Sequence, residues 1–159
     1  MSDAIKHECG IALIRLRKPL EYYQQRYGTP LYGLNKLYLL MEKQHNRGQD
    51  GAGVGSIKLE PVPGMPYIDR QRSTDKQAIQ KIFERIHRGY DEAVKADPTA
   101  RVDAEVLKRH MPFMGEVLMG HLRYATFGKN GEENCHPRRR LNNWITRNLV
   151  VAGNFNMTN

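Results

Sequence analysis

Apolar runs at four places along the chain predict strands. The first, residues 10–16, is short and mostly apolar, and the clearest, 148–152, is typical of a buried strand. A third strand is predicted at 117–124. In 51–58, glycines alternate with apolar residues, which indicates a strand crowded against another backbone.

Longer stretches with apolar residues at helical spacing predict helices between these strands. One begins at about Leu34, with Asn35 as a candidate cap, and ends near residues 46–48. Others are expected over 77–95 and 103–110, each with one charged face. We interpret the charged stretch from about 69 to 111 as a helical excursion from a sheet core, so the expected fold class is mixed α/β (α+β).

Composition narrows the class of protein. A chain of 159 residues with 40% hydrophobic and 26% charged residues is typical of one soluble domain. It contains no apolar run near the roughly 20 residues of a membrane helix, and its first residues do not resemble a secretory signal. We therefore expect a cytoplasmic protein that binds no membrane. Cys9 and Cys135 are expected to be free thiols.

The net charge of +8 raises the question of whether the protein binds nucleic acid. The densest basic run is Arg138-Arg139-Arg140, and Trp144 is the only aromatic residue near it. A nucleic-acid-binding protein would need stacking platforms or a recognition module that this sequence lacks. A nucleic-acid partner is therefore not expected.

Cys9 is the candidate nucleophile. A thiol has an ordinary pKa near 8.5 and needs a neighbouring base to attack at neutral pH. A free α-amine titrates at about 7.7 to 8.0, so a cysteine at the amino terminus has its own general base. Cys9 meets this condition only if residues 1–8 are removed as a leader.

Four separated stretches resemble one family. They are Glu8-Cys9-Gly10-Ile11, RGQDGAG at 47–53, GHLRYATFG at 120–128 and AGNFNMTN at 152–159. Together they resemble the class II (Ntn-type) glutamine amidotransferases, and RGQDGAG resembles most the N-terminal glutaminase half of the amidophosphoribosyltransferase subgroup.

The resemblance implies roles for seven residues. Cys9 would attack the side-chain amide of glutamine and form a thioester, while the Asn154 side chain and the Phe155 backbone amide would stabilise the oxyanion. The substrate-binding residues would be Arg47, Gly48, Arg123 and Thr126, with Arg123 holding the α-carboxylate through the two-pronged grip of a guanidinium.

The resemblance also implies a layered αββα fold of the Ntn-hydrolase type. Residues 9–159 would be an incomplete N-terminal portion of the glutaminase domain, and a phosphoribosyltransferase domain would follow it. The ammonia would then serve phosphoribosylamine synthesis in purine biosynthesis. The domain itself would need no cofactor and no metal, and the possibility of a homo-oligomer stays open.

Other interpretations stay open beside this one. The family has glycine where this chain has Phe155, and an uncut leader would leave the Cys9 nitrogen in a peptide bond. The chain would then be an unprocessed or degenerate relative that acts as a structural or regulatory module. His121 is expected to be a hydrogen-bonded structural histidine, and neither Cys135-His136 nor His7 with Cys9 is expected to form a metal or catalytic pair.

Overall fold

The computed structural model describes residues 8–125 and 131–155. This part of the chain is a mixed α+β fold built on antiparallel sheets, which confirms the predicted mixed class. The strands are β1 (Gly10–Arg15), β2 (Gly51–Ile57), β3 (Ile68–Ser73), β4 (Val117–Arg123), β5 (Arg138–Arg140) and β6 (Leu149–Val151). The helices are α1 (Leu20–Tyr27), α2 (Tyr32–Glu42), α3 (Ala78–Ala96) and α4 (Ala104–His110).

The main sheet has the strand order β1-β4-β2-β3, and every neighbouring pair is antiparallel. β4 therefore lies between β1 and β2. Gly10 is paired with Leu122, and Gly51 is paired with Arg123. β5 and β6 form a separate two-stranded sheet.

One face of the main sheet carries the hydrophobic core. Its side chains point to α2 and α3, as alternation along a strand requires. The buried residues at this interface include Ala12, Val54, Leu118 and Leu122 of the sheet, Leu37 and Met41 of α2, and Ile82 and Phe83 of α3. Gly120 allows close packing here, because a Cβ atom at that position would lie 2.5 Å from the Met41 sulfur.

The opposite face of β2 is a stripe of glycines, Gly51, Gly53 and Gly55, and residues 135–137 pack directly on it. A Cβ atom at Gly51 would lie 2.6 Å from the Cys135 sulfur, and one at Gly55 would lie 3.1 Å from Pro137 Cγ. At Gly53 a Cβ atom would overlap the His136 carbonyl oxygen. The predicted crowding of this strand against another backbone is therefore confirmed.

The helices agree with the sequence in part. α3 and α4 lie where they were predicted, and the Asp103 side chain caps α4 by accepting bonds from the amides of Glu105 and Val106 at 2.9 and 3.0 Å. α2 begins at Tyr32, so Asn35 lies inside the helix and its predicted capping role is wrong. α1 was not predicted, and it ends at Gly28, whose φ of 74° suits glycine.

The stretch from about 69 to 111 contributes to the core as well as to the surface. Its first residues belong to β3, and α3 packs on β2 and β3 through Ile82 and Phe83. Within the described ranges, no helix is long and apolar enough to cross a bilayer.

A buried ion pair joins α4 to the start of β4. Lys108 Nζ lies 2.5 Å from Glu116 Oε1, and their side chains are 11% and 8% exposed. Both groups also bond the backbone of Leu59: the Glu116 carboxylate accepts from its amide at 2.8 Å, and Lys108 donates to its carbonyl at 2.9 Å. These bonds fix the loop that follows β2.

Candidate functional site

The start of β1, the loop before β2 and the end of β4 meet at one end of the main sheet. Residue pairing runs from Arg15 opposite Val117 to Gly10 opposite Leu122, so Cys9 continues the register beside Arg123. Arg123 is also paired with Gly51 on its other side. Directly paired residues share a face, so this alternation, continued by one residue, puts Cys9 on the face that holds His121 and Arg123.

The Cys9 thiol is half-buried and contacts the backbone of Tyr124. The Tyr124 amide donates to Cys9 Sγ at 3.5 Å, and the thiol lies 3.9 Å from the Tyr124 carbonyl oxygen. The sulfur therefore packs against the Tyr124 backbone, directly after the end of β4. The other cysteine, Cys135, is fully buried, and burial raises the pKa of its thiol despite the nearby Arg123 charge.

The loop at 47–50 is pressed onto the same backbone. A Cβ atom at Gly48 would lie 2.7 Å from the carbonyl carbons of Leu122 and Arg123, so only glycine fits without movement. The Asp50 amide donates to the Arg123 carbonyl at 3.0 Å, and the Asp50 carboxylate accepts from the Ala125 amide at 2.8 Å. Asp50 therefore fixes the chain on both sides of Tyr124.

Arg47 extends from this loop to the residue before the thiol. Its guanidinium lies 3.6 Å from the Glu8 carboxylate, and both side chains are about half exposed. Such exposed pairs contribute little to stability, roughly 0 to 1 kcal/mol. The contact nevertheless places Arg47 beside the segment that carries Cys9.

Arg123 is 5% exposed. It follows Leu122, whose side chain faces the helices, so alternation along β4 puts the Arg123 side chain on the opposite face, where its charge acts on Cys135, His121 and His136. The structure therefore brings Arg123 to the same end of the sheet as Cys9. Its side chain is less accessible to solvent than that of a typical surface residue that binds a ligand.

The segment 153–155 is held on the sheet by two histidines. His121 Nε2 donates to the Gly153 carbonyl at 3.2 Å. His136 Nδ1 lies 3.0 Å from the same oxygen and 3.3 Å from the Gly153 nitrogen, so its tautomer decides which of these bonds forms. The role predicted for His121, a hydrogen-bonded structural histidine, agrees with this contact.

Both histidines are neutral at pH 7. Burial lowers the pKa of His121 to about 4, with a further contribution from His136. Burial also lowers the pKa of His136, although its bond to Gly153 acts in the opposite direction. Their ring centroids are 4.7 Å apart, and protonation of either ring would put charge into this buried contact.

Asn154 and Phe155 are exposed, and they follow the residue that the histidines hold. The Phe155 ring packs on His136, with centroids 5.0 Å apart. The Gly153 carbonyl bonds His121, which lies two residues before Arg123 on β4. This segment therefore lies on the face of the sheet opposite the helices. Thr126 lies outside the described residues.

The predicted site residues are thus brought to one region to different degrees. Cys9, Gly48 and Arg123 converge on the end of β4, Arg47 reaches it through Glu8, and Asn154 and Phe155 follow the histidine contact. Sequence reasoning missed the positioning role of Asp50. Its place at the end of a glycine-containing loop, where aspartate commonly bonds nearby backbone, was the available signal.

A pocket of about 430 Å³ lies behind the Arg47 loop, on the helix side of the sheet, where Glu42, His45, Gly48 and Lys76 are among its lining residues. Cys9 does not line it, so this pocket is separate from the thiol. In residues 8–125 and 131–155, no group of three or more histidine, cysteine or acidic side chains is arranged to hold a metal ion.

Comparison of the chain with protein-family models, with curated proteins and with solved structures finds no significant match. The interpretation of the site therefore depends on its motifs and its geometry.

Proposed function

We propose that this chain is the glutaminase part of a class II glutamine amidotransferase and that Cys9 is its nucleophile. The observation that supports this most directly is the position of the Cys9 sulfur against the Tyr124 backbone, in register with Arg123. The described parts of three motif stretches meet at one end of the main sheet, and Gly153 of the fourth bonds His121 on β4. The helix layer on one face and the small second sheet on the other are compatible with the layered Ntn-type fold.

The proposed reaction begins with removal of residues 1–8. The freed α-amine of Cys9 takes the thiol proton, and the sulfur attacks the side-chain carbonyl carbon of glutamine. The carbonyl oxygen becomes an oxyanion, which the Asn154 side chain and the Phe155 amide stabilise, a contribution of roughly 3 to 4 kcal/mol per donor. The carbon–nitrogen bond then breaks, the amine returns the proton, and ammonia leaves a thioester. Water hydrolyses this thioester to glutamate.

Substrate binding in this proposal depends on charge. Arg123 bonds the α-carboxylate of glutamine, Arg47 and Gly48 shape the pocket beside the thiol, and Thr126 supports the carboxylate end. The ammonia would go to phosphoribosylamine synthesis through a phosphoribosyltransferase domain. No cofactor takes part in this half-reaction.

The test is covalent labelling with a diazoketone analogue of glutamine, followed by peptide mapping. In a chain that begins at Cys9, we expect modification of Cys9 and none of Cys135, because Cys135 is fully buried and burial raises the pKa of its thiol. Cys135 is thus an internal control. Cys9→Ala should abolish labelling, and labelling at Cys135 alone would refute the assignment.

Two arginine variants separate charge from geometry. Arg123→Lys keeps the positive charge but loses the two-pronged grip, so it should weaken labelling at low reagent concentration more than at saturation. Arg88→Lys, on the exposed side of α3, is the matched control and should change nothing. Labelling that is equally fast in both variants would contradict a role for Arg123 in binding.

The leader gives a second measurement. The chain that retains residues 1–8 should release no ammonia from glutamine, because its Cys9 nitrogen is an amide. A colorimetric ammonia assay that shows steady release by that chain would contradict the terminal-amine mechanism.

A non-catalytic module is the second candidate function. The observation in its favour is the Phe155 ring, which packs on His136 at the position where the family has glycine. Intact-mass measurement of the protein from its native host distinguishes the two. A mass that begins at Cys9 supports the enzyme, and a mass that retains Ser2 supports the module.

A further inference from the structure

A cluster of arginines lies on the glycine side of the main sheet, at the β3 edge, whereas Cys9 is on the same face at the opposite edge, beside β1. We define the arginine cluster as Arg70 and Arg72 of β3 with Arg138 and Arg139 of β5. Arg70 and Arg72 share one face because they are paired with Gly55 and Gly53. Residues 135–137 pack on these two glycines and fill the space that a side chain would take there.

Two of the four arginines are held by backbone carbonyls. Arg72 donates to the carbonyls of Glu133 and Cys135, both at 3.1 Å. Arg139 crosses from the second sheet to donate to the Ile68 carbonyl on β3 at 3.0 Å. Ile68 and Arg72 are each two residues from Arg70 on β3, and the charges of Arg72 and Arg139 both act on Arg70.

The arginine cluster is not ion-paired with carboxylates in the part of the chain that the structure describes. All four side chains are partly buried. Asp69, which is next to Arg70, faces the helix side, where its carboxylate accepts from the Phe113 amide at 2.9 Å.

Two further observations indicate that the cluster has an unused hydrogen-bond donor and uncompensated positive charge. Arg138 Nε is buried and has no hydrogen-bond partner in the described part of the chain. Burial, followed by the charges of Arg72, Arg139 and Arg138, lowers the pKa of Arg70. Half-buried like charges repel one another, and an anion between them would remove that repulsion.

We propose that the arginine cluster binds an oxyanion of the phosphate class, either free phosphate or a phosphate monoester. A guanidinium donates two parallel hydrogen bonds to neighbouring phosphate oxygens. A phosphate group has more oxygens and more charge than a carboxylate, so it can engage several arginines at once. The proposal does not depend on the glutaminase chemistry, since the cluster includes no residue of the Cys9 site.

The test is calorimetric titration of the full chain with sodium phosphate and, separately, with glycerol 3-phosphate. Ionic strength is kept constant with sodium chloride, because an exposed positive field also attracts anions without forming a site. We expect saturable binding by wild type. Arg70→Gln and Arg138→Gln should each weaken it about tenfold or more, as expected when a charge-assisted bond is lost.

Arg88→Gln is the matched control, because it removes the same charge from an exposed position on α3. Its affinity should stay within about twofold of wild type. Equal weakening by Arg88→Gln, or no saturable binding of either anion, would overturn the proposal. Equal affinity for both anions would show that the site accepts an ester, and binding of phosphate alone would show that it takes the free anion.

Circular dichroism identifies variants that do not fold. Should Arg70→Gln or Arg138→Gln fail to fold, the corresponding lysine variant replaces it. Lysine keeps the charge and loses the paired geometry, so the affinity should still fall. Affinity in a folded lysine variant that equals wild type would contradict specific recognition by that arginine.

Discussion

Substitution of Gly53 by alanine tests the packing of residues 135–137 on β2. A Cβ atom there would lie 2.9 Å from the His136 carbonyl carbon and 3.0 Å from Pro137 Cδ, and it would overlap the His136 oxygen. Ordinary contacts between carbons are about 3.5 to 4.0 Å, so the covering segment must retreat by roughly 1 Å or more. The obstacle is backbone, which cannot rotate away as a side chain can.

The expected cost follows from two contributions. Overpacking in a closed interior costs about 1 to 3 kcal/mol, and a backbone obstacle favours the upper end of that range. Retreat of His136 also breaks its contact with Gly153, which lies 3.0 Å from the ring nitrogen, and a lost hydrogen bond costs about 1 kcal/mol. We therefore expect Gly53→Ala to lower the free energy of unfolding by about 3 to 4 kcal/mol.

The assay is urea unfolding followed by circular dichroism, with the midpoint and the slope both fitted. Gly89→Ala is the matched control, because a Cβ atom at Gly89 has open space within 4 Å and lies inside α3. That variant should gain about 0.5 to 1 kcal/mol. Gly55→Ala, with its nearest contact at 3.1 Å from Pro137, should fall between the two. A Gly53→Ala midpoint equal to wild type would refute the packing argument.

Substitutions at three other places test the buried polar contacts of His121, Lys108 and Asp50. Burial lowers the pKa of His121 to about 4, so the unfolded chain binds a proton at a higher pH than the folded chain does. The contribution of His121 to the free energy of unfolding is therefore fully present above about pH 6.5 and falls by about 3 kcal/mol towards pH 4. His121→Phe should flatten this dependence in urea titrations at successive pH values, and an unchanged profile would exclude the histidine as its source. Lys108→Met leaves Glu116 buried without its partner, so it should cost about 3 kcal/mol, while the double variant with Glu116→Leu should recover part of that loss in the same assay. Asp50→Ala should speed hydrogen exchange of the Ala125 amide, which Asp50→Asn should largely protect; equal exchange in both variants would contradict the observed bond.

The sequence predicted local structure best where the periodic pattern was long. α3 has a complete apolar face, with Ile79, Ile82, Phe83 and Ile86 buried, and its predicted limits are close to the observed ones. α1 was missed because only Leu20 and Tyr23 are buried in a helix of otherwise polar and half-exposed residues. A stripe of two residues is too short to distinguish a helix from a loop.

Contacts between distant segments were harder to predict. The glycines of β2 indicated a close neighbour, but nothing in their spacing identified residues 135–137 as that neighbour. Arg138–Arg140 contains no alternation of apolar and polar residues, so its strand was not predicted. For the site, the family resemblance predicted that Cys9 and Arg123 lie together, whereas the histidine contacts of Gly153 depend on tertiary packing that local pattern does not contain.

If residues 1–8 are removed as in the proposed reaction, the pair between Glu8 and Arg47 is lost with them. Glu8 is the residue immediately before the thiol, and its carboxylate lies 3.6 Å from a guanidinium that is half exposed. Cleavage after Glu8 would take that tethered anion away at the same moment as it creates the terminal amine. Arg47 would then be free to bind the carboxylate of another molecule. A single hydrolysis would thus create the α-amine that acts as the base and remove the carboxylate that is paired with Arg47.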